Sequence, residues 1–136
     1  FPHGTATFIN GYSEFSSWYQ TTAAEQAAIR QGLNIWASVA HISFVQYPDN
    51  GTTVGEMRFA LTSATSSFAH AYLPGGTPQA GDVWFRQGQW NTDRSTVSPG
   101  QYDHETIIHE IGHALGIARQ TAHAKYRRAA QLPEPT

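Results

Sequence analysis

Two histidines and a glutamate near residue 110 have the residue types and spacing of a metal-dependent hydrolytic site. His109 and His113 are four residues apart, so on a helix both imidazoles project from one face and can reach one zinc ion with bonds of roughly 2.0 to 2.1 Å. Glu110 lies beside them, and its carboxylate can take a proton from water as the water attacks a carbonyl, then return it to the leaving amine. The triplet therefore indicates peptide-bond hydrolysis without a covalent intermediate.

The residues that follow the pair depart from the longer zinc pattern H-E-x-x-H-x-x-G-x-x-H. Where that pattern has its third histidine, this chain has Arg119. A guanidinium has no lone pair to offer a metal, and a catalytic zinc normally has three protein ligands plus water. His123 is the only histidine further along the chain, and it is the alternative third ligand. We expect weak zinc binding and little or no turnover.

Composition bounds the class of protein. The chain has 136 residues, 40% of them apolar and 13% charged, which is typical of one globular domain with a polar, sparsely ionised surface common in secreted proteins. The net charge of -2 predicts no binding to nucleic acid or membranes, and no apolar run is long enough to span a bilayer. Cysteine is absent, so a transition-metal site must use His, Asp, Glu and water. We expect a secreted monomer, and the start at Phe1 predicts a processed piece of a longer product.

The elements that must position the triplet follow from periodicity and turn residues. Thr22 and Glu25 form a capping box at the start of a long amphipathic helix, Ala23 to Ala40. Asp103 is the predicted N-cap of a second helix, which carries the histidine pair and ends at Gly116. Extended segments are predicted at Thr5 to Ile9, Ile42 to Tyr47, Val54 to Leu61, Phe68 to Leu73 and Asp82 to Phe85.

This order predicts an α+β fold, with a twisted mixed β-sheet of four to five strands packed on the long N-terminal helix and the zinc-binding helix. By charge, the chain divides into a body, residues 1–118, and a basic tail, residues 119–136. The tail holds four of the eight basic residues and one of the ten acidic ones, so it carries +3 against -5 for the body. We interpret the tail as disordered or of a different origin from the body, with solvated charges.

The chain resembles a known family along most of its length. His109 to Gly116, preceded by Thr106-Ile107-Ile108, resembles the zinc helix of the metzincin metallopeptidases, most of all their serralysin-like and matrixin-like branches. Phe68 to Gly75 resembles the family's upper edge strand, and Gly81 to Phe85 resembles the strand after it. Residues 33–44 match the family's first helix and second strand, so the resemblance covers about residues 5–118.

The resemblance implies a secreted zinc endopeptidase with a metzincin-like upper subdomain. It implies that zinc is held by His109 and His113 and that Glu110 is the general base. It also implies that an extended peptide or protein substrate pairs with the edge strand, where the candidate substrate-binding residues are His70, Ala71 and Tyr72.

The chain departs from this family beyond the zinc helix as well as at Arg119. Family members have a methionine turn beneath the metal, whereas the only methionine here is Met57, far upstream. The matrixin branch holds a structural zinc partly through the histidine that matches His70, but Trp84 stands where a second histidine is expected. We therefore predict no second zinc.

Three functions remain open. The first is the zinc endopeptidase, and the second is a truncated, catalytically inactive relative that binds peptides. The third is a non-enzymatic secreted interaction domain in which the histidine pair is coincidental. We further expect His104 to face solvent from the first turn of its helix, and the periodic aromatic residues to form core rather than a binding platform.

Overall fold

The computed structural model describes residues 1–2, 13–49, 55–88 and 101–117. They form a mixed α+β layer, as the sequence predicted. In chain order the elements are a 3-10 helix at Glu14–Ser17, β1 at Trp18–Tyr19, α1 at Ala23–Ala40, β2 at Phe59–Thr62, β3 at Ala69–Ala71, β4 at Val83–Arg86 and α2 at Tyr102–Ala114. The strand predicted at Thr5 to Ile9 lies outside the described residues.

Helix α1 has the bounds and the cap that the sequence predicts. The Thr22 hydroxyl accepts a hydrogen bond from the Glu25 backbone N–H at 3.2 Å, and the Glu25 carboxylate accepts one from the Thr22 N–H at 2.7 Å. This reciprocal pair satisfies two backbone donors that a helix start otherwise leaves unpaired. The helix ends at His41, whose left-handed conformation stops the chain from continuing in the same direction.

The sheet is mixed, and its strand order is β1-β2-β4-β3. The two central strands, β2 and β4, run parallel, while β1 and β3 pair antiparallel with them at the two sides. All four residues of β2 are buried, which is typical of a central strand covered on both faces. The described sheet therefore has four strands, within the predicted range, and β3 lies at its edge.

Each face of the sheet has its own apolar cluster. The helix-facing side holds the larger one, in which residues from β2 and β4 pack against α1 and α2: Ala28, Ile29, Phe59, Leu61, Val83, Phe85, Ile107, Ile111 and Ala114. The opposite side, called the outer face below, holds Phe15, Ala60 and Trp84 with Trp18 and Tyr72 against them. The buried aromatic residues Phe59, Trp84 and Phe85 belong to the core, as predicted, but the same prediction is wrong for Tyr19, which is 42% exposed.

Two strand predictions fail in whole or in part. Residues 42–47 form no strand, and Val45 is 82% exposed even though the segment is β-branched and aromatic. Such residues favour a strand only where a neighbouring strand and a packed face are present, and the described part of the sheet provides neither here. The strand predicted from Val54 begins only at Phe59, and the preceding residues 55–58 lie in a bend.

A buried ion pair lies directly before the start of β2. The Arg58 guanidinium donates to both carboxylate oxygens of Asp82, at 2.6 and 3.0 Å, and both side chains are almost fully buried. Burial raises the pKa of Asp82 to about 6, although the hydrogen bonds and the charge of Arg58 act to lower it. The pair joins the bend before β2 to the residue before β4, so the two parallel strands start at the same level.

Helix α2 begins two residues earlier than predicted. Its N-cap is Gln101 rather than Asp103, which lies inside the first turn. His104 is buried, not solvent-facing as we predicted, and its Nε2 lies 3.4 Å from the Gln31 amide oxygen on α1. The reason is its spacing, because positions 104, 107 and 111 lie on one face of a helix and that face packs on α1. In the described ranges, neither helix has the length and apolarity needed to cross a bilayer.

Candidate metal centre

Close packing of α1 on α2 holds the helix that carries the histidine pair. Two glycines make this contact possible, since a Cβ on Gly32 would lie 2.9 Å from Ile107 Cγ2 and a Cβ on Gly112 would lie 2.8 Å from Trp36 Cζ2. The Trp36 indole N–H also donates to the carbonyl oxygen of Ile108 at 2.8 Å. The turn of α2 between the two histidines is therefore fixed against α1 by both shape and a hydrogen bond.

The two histidines converge on one point, as the spacing predicts. His109 Nε2 and His113 Nε2 are 2.9 Å apart, and the rings meet edge to face with centroids 4.6 Å apart. Two nitrogens bound to one tetrahedral zinc stand about 3.3 Å apart for bonds near 2.05 Å, so a small rotation of the rings brings both into range. The pair thus fits two positions of one coordination sphere.

The end of α2 determines the tautomer of His113. Gly116 has φ +92°, a left-handed conformation that glycine adopts without strain, and it ends the helix as predicted. The carbonyl oxygen of the next residue, Ile117, lies 2.8 Å from His113 Nδ1. Because a carbonyl oxygen can only accept, Nδ1 carries the hydrogen and Nε2 of the neutral ring presents a lone pair. Metal-binding histidines commonly have such an outer hydrogen bond, which the sequence analysis did not identify.

Glu110 lies between the two histidines in sequence but on a more buried part of the helix. Glu110 is only 7% exposed, whereas His109 is exposed and His113 is half-buried. Burial raises the pKa of Glu110, and the charges of His113 and His70 act in the opposite direction. A carboxylate with a raised pKa takes up a proton more readily, which suits a general base.

A third metal ligand is not present within the described ranges. Among residues 1–2, 13–49, 55–88 and 101–117 no group of three or more His, Cys, Asp or Glu side chains could hold a metal. Arg119 and His123 both lie outside these ranges. The described residues therefore fit zinc as a two-histidine partial site, and the remaining positions would have to be filled by water or by residues beyond 117.

The edge strand β3 runs alongside α2 and in the same direction. Near the start of both elements the ring centroids of Phe68 and Tyr102 are 5.1 Å apart. At their ends Pro74 lies next to Gly116. Fourteen helical residues and six extended ones both cover about 20 Å. The same arithmetic places the histidine pair level with the end of β3 and the residues after it.

In the described part of the sheet, the backbone of β3 pairs with a strand on one side only. Phe68, His70 and Tyr72 face β4, as shown by the bonds from Arg86 N–H to Phe68 C=O at 2.8 Å and from Tyr72 N–H to Asp82 C=O at 2.9 Å. In an antiparallel ladder, the residues between them direct their N–H and C=O groups the other way. The open edge therefore belongs to Ala69 and Ala71, of which the sequence analysis named only Ala71.

The structure separates the three candidate substrate-binding residues. Ala71 has its backbone at the open edge and its side chain on the helix-facing side. His70 and Tyr72 pair with β4 through their backbones, and their side chains extend over the outer face to the Glu14 carboxylate. Sequence reasoning missed Glu14, because a contact between residues 56 positions apart leaves no local pattern.

A helix bearing the sequence HExxH, beside the edge strand of the described mixed sheet, matches the upper subdomain of metzincin-type metallopeptidases. The model of one family, the matrixins, matches residues 11–130 of this chain. The chain belongs to this family of zinc metalloendopeptidases.

Curated relatives agree with this assignment. A serralysin from Photorhabdus laumondii subsp. laumondii is 35% identical over 107 residues, which cover 77% of this chain and 21% of that protein. The metallopeptidase AprA from Pseudomonas marginalis is 32% identical over 113 residues, covering 81% and 22%, and serralysin A from Dickeya chrysanthemi is 34% identical over 102 residues, covering 70% and 21%. The chain thus spans about a fifth of the length of these relatives.

Proposed function

We propose that this chain is a secreted zinc-dependent endopeptidase domain with low intrinsic turnover, in which His109 and His113 hold the metal and Glu110 is the general base. The observation that carries the proposal is the convergence of the two Nε2 atoms at 2.9 Å, with the Ile117 carbonyl holding the His113 proton on the far side of its ring. In metal-binding helices an outer hydrogen bond of this kind orients the histidine ring, so that its other nitrogen can bind the metal.

Zinc at this pair would act as a Lewis acid, polarising the peptide carbonyl and acidifying water. Glu110 would take the proton of the attacking water and deliver it to the leaving nitrogen, and its partial burial favours both transfers. The substrate backbone would add to the sheet at Ala69 and Ala71, antiparallel to β3. Because the histidine pair lies level with the end of β3, a peptide bond of a substrate paired there would lie next to Glu110.

The identity of residue 119 gives the sharpest test. Arg119→His restores the H-E-x-x-H-x-x-G-x-x-H spacing, so zinc affinity measured by calorimetry should rise at least about tenfold, and casein cleavage should rise with it. Arg119→Gln is the matched control, because it removes the charge without adding a ligand. Equal zinc affinity in the wild type, Arg119→His and His109→Ala would sink the proposal that this helix holds the metal.

A second function, that of a peptide-binding module without turnover, is favoured by Arg119 itself, since two protein ligands hold a catalytic zinc poorly. The two functions differ in one measurement. Casein cleavage that disappears with a chelator and in Glu110→Gln supports the peptidase, while casein binding without cleavage at saturating zinc supports the module. Secretion is a separate proposal, and finding the protein only inside the producing cells would refute it.

A further inference from the structure

Glu14 lies on the outer face of the sheet and forms hydrogen bonds with residues of both β2 and β3. Its backbone carbonyl accepts a hydrogen bond from the Thr62 hydroxyl of β2 at 2.7 Å. Its carboxylate oxygen Oε2 accepts hydrogen bonds from His70 Nε2 of β3 at 2.9 Å and from the Tyr72 hydroxyl. Because β4 lies between these strands, the residue connects positions about 10 Å apart in the sheet.

The two residues that Glu14 binds are His70 in β3 and Tyr72 directly after it, two positions apart along the same extended backbone. His70 and Tyr72 project from the same face, so one carboxylate fixes the rotation of the strand about its own axis. Thr65, in the loop before β3, lies 3.3 Å from His70 Nδ1 through its hydroxyl oxygen and holds the other side of the ring.

The carboxylate depends strongly on these contacts. Glu14 is only 4% exposed, and its second oxygen, Oε1, is buried without a hydrogen bond from any described residue. Burial by itself would raise the pKa of Glu14, but the hydrogen bonds from Tyr72 and His70 outweigh it and lower the pKa, so the group is ionised at neutral pH. Hydrogen bonds to a buried charge are stronger than those between neutral groups, so Glu14 holds the His70 and Tyr72 side chains firmly in place.

We propose that Glu14 is a positioning residue for peptide binding: by holding His70 and Tyr72 on the outer face, it orients the Ala69 and Ala71 backbone groups for pairing with an extended peptide. The inference rests on the proposed peptide site at β3. Without Glu14, β3 keeps its backbone pairing with β4 and its packing on α2, but on the outer face it loses the bonds that hold the His70 and Tyr72 side chains, so its twist relative to the histidine pair can change.

The test compares Glu14→Gln with Glu105→Gln, an exposed carboxylate on α2, in a Glu110→Gln background, which we expect to bind casein without cutting it. Fluorescence anisotropy of labelled casein gives the affinity, and calorimetry gives the zinc affinity. We expect Glu14→Gln to weaken casein binding about tenfold and Tyr72→Phe to weaken it less. The zinc affinity should be the same in all of these variants, and Glu105→Gln should bind casein as tightly as the Glu110→Gln parent.

Amide hydrogen exchange gives a second readout that does not depend on substrate. Protection of the His70 and Tyr72 amides should fall about tenfold in Glu14→Gln, while the β2 amides, Phe59 to Thr62, keep theirs. Equal loss of protection in β2 and β3 would make Glu14 merely structural and overturn the inference, as would unchanged exchange and affinity. If the parent protein binds no casein, the proposed peptide site is wrong, and β3 exchange still decides whether Glu14 orients the strand.

Discussion

The contact between Gly112 and Trp36 predicts that adding one methyl group at position 112 will disturb helix α2, which carries the histidine pair. In Gly112→Ala the new Cβ would stand 2.8 Å from Trp36 Cζ2 and 3.4 Å from Cη2, closer than carbon atoms pack. The indole cannot move away freely, because its N–H donates to the Ile108 carbonyl at 2.8 Å. Either the helices separate or this hydrogen bond breaks.

The expected loss of stability is the balance of three terms. Overpacking a core costs about 1 to 3 kcal/mol, and losing the Trp36 hydrogen bond costs about 1 kcal/mol. Alanine in place of glycine within a helix returns about 1 kcal/mol. Gly112→Ala should therefore lower the free energy of unfolding by roughly 1 to 3 kcal/mol, against the stabilisation that helix propensity alone predicts.

Urea unfolding of four proteins tests this reasoning. The set is the parent, Gly112→Ala, Trp36→Leu and the double variant, because leucine removes both the ring and its hydrogen bond. In the Trp36→Leu background Gly112→Ala should be neutral or stabilising by up to about 1 kcal/mol. A stabilised Gly112→Ala single variant, or the same loss in both backgrounds, would refute the steric account. Zinc affinity should fall with stability in the single variant, since the displaced turn lies between His109 and His113.

Two further predictions concern the buried ion pair and the helix end. Arg58→Leu leaves Asp82 buried without its partner and should cost about 3 to 5 kcal/mol at neutral pH in urea unfolding. Because burial already raises the pKa of Asp82 to about 6 and the loss of Arg58 raises it further, the cost should shrink as the pH falls from 8 to 5, and a cost that grows would contradict this. Gly116→Ala places a Cβ at φ +92°, so it should lose about 1 to 2 kcal/mol and, by moving the Ile117 carbonyl away from His113, weaken zinc binding in calorimetry; unchanged zinc affinity would show that the carbonyl does not orient the ring.

Local patterns were sufficient for the parts of the fold that depend on a few neighbouring residues. Thr22 and Glu25 determine the start of α1 through bonds three residues apart, and Gly116 determines the end of α2 through its own backbone angle. The convergence of His109 and His113 follows from helix geometry alone. These predictions required no knowledge of what packs against the helices.

Predictions that depended on a partner failed or were never made. Residues 42–47 have strand-type composition but form no strand, because pairing is decided by the rest of the sheet. The prediction that His104 faces solvent from the first turn of α2 is wrong, because its position on the face of Ile107 and Ile111 buries it. The Glu14 network joins residues far apart in the chain, and no periodicity connects them.

The proposed metal site depends on features that are all complete by residue 117, before the chain departs from the zinc pattern. Packing on α1 fixes the turn between the histidines, the turn at Gly116 supplies the Ile117 carbonyl, and burial raises the pKa of Glu110. On this proposal the missing contribution is a single ligand, so Arg119→His should need no second substitution to raise zinc affinity. If it instead requires further changes upstream, the described helix is not the preset half-site we infer.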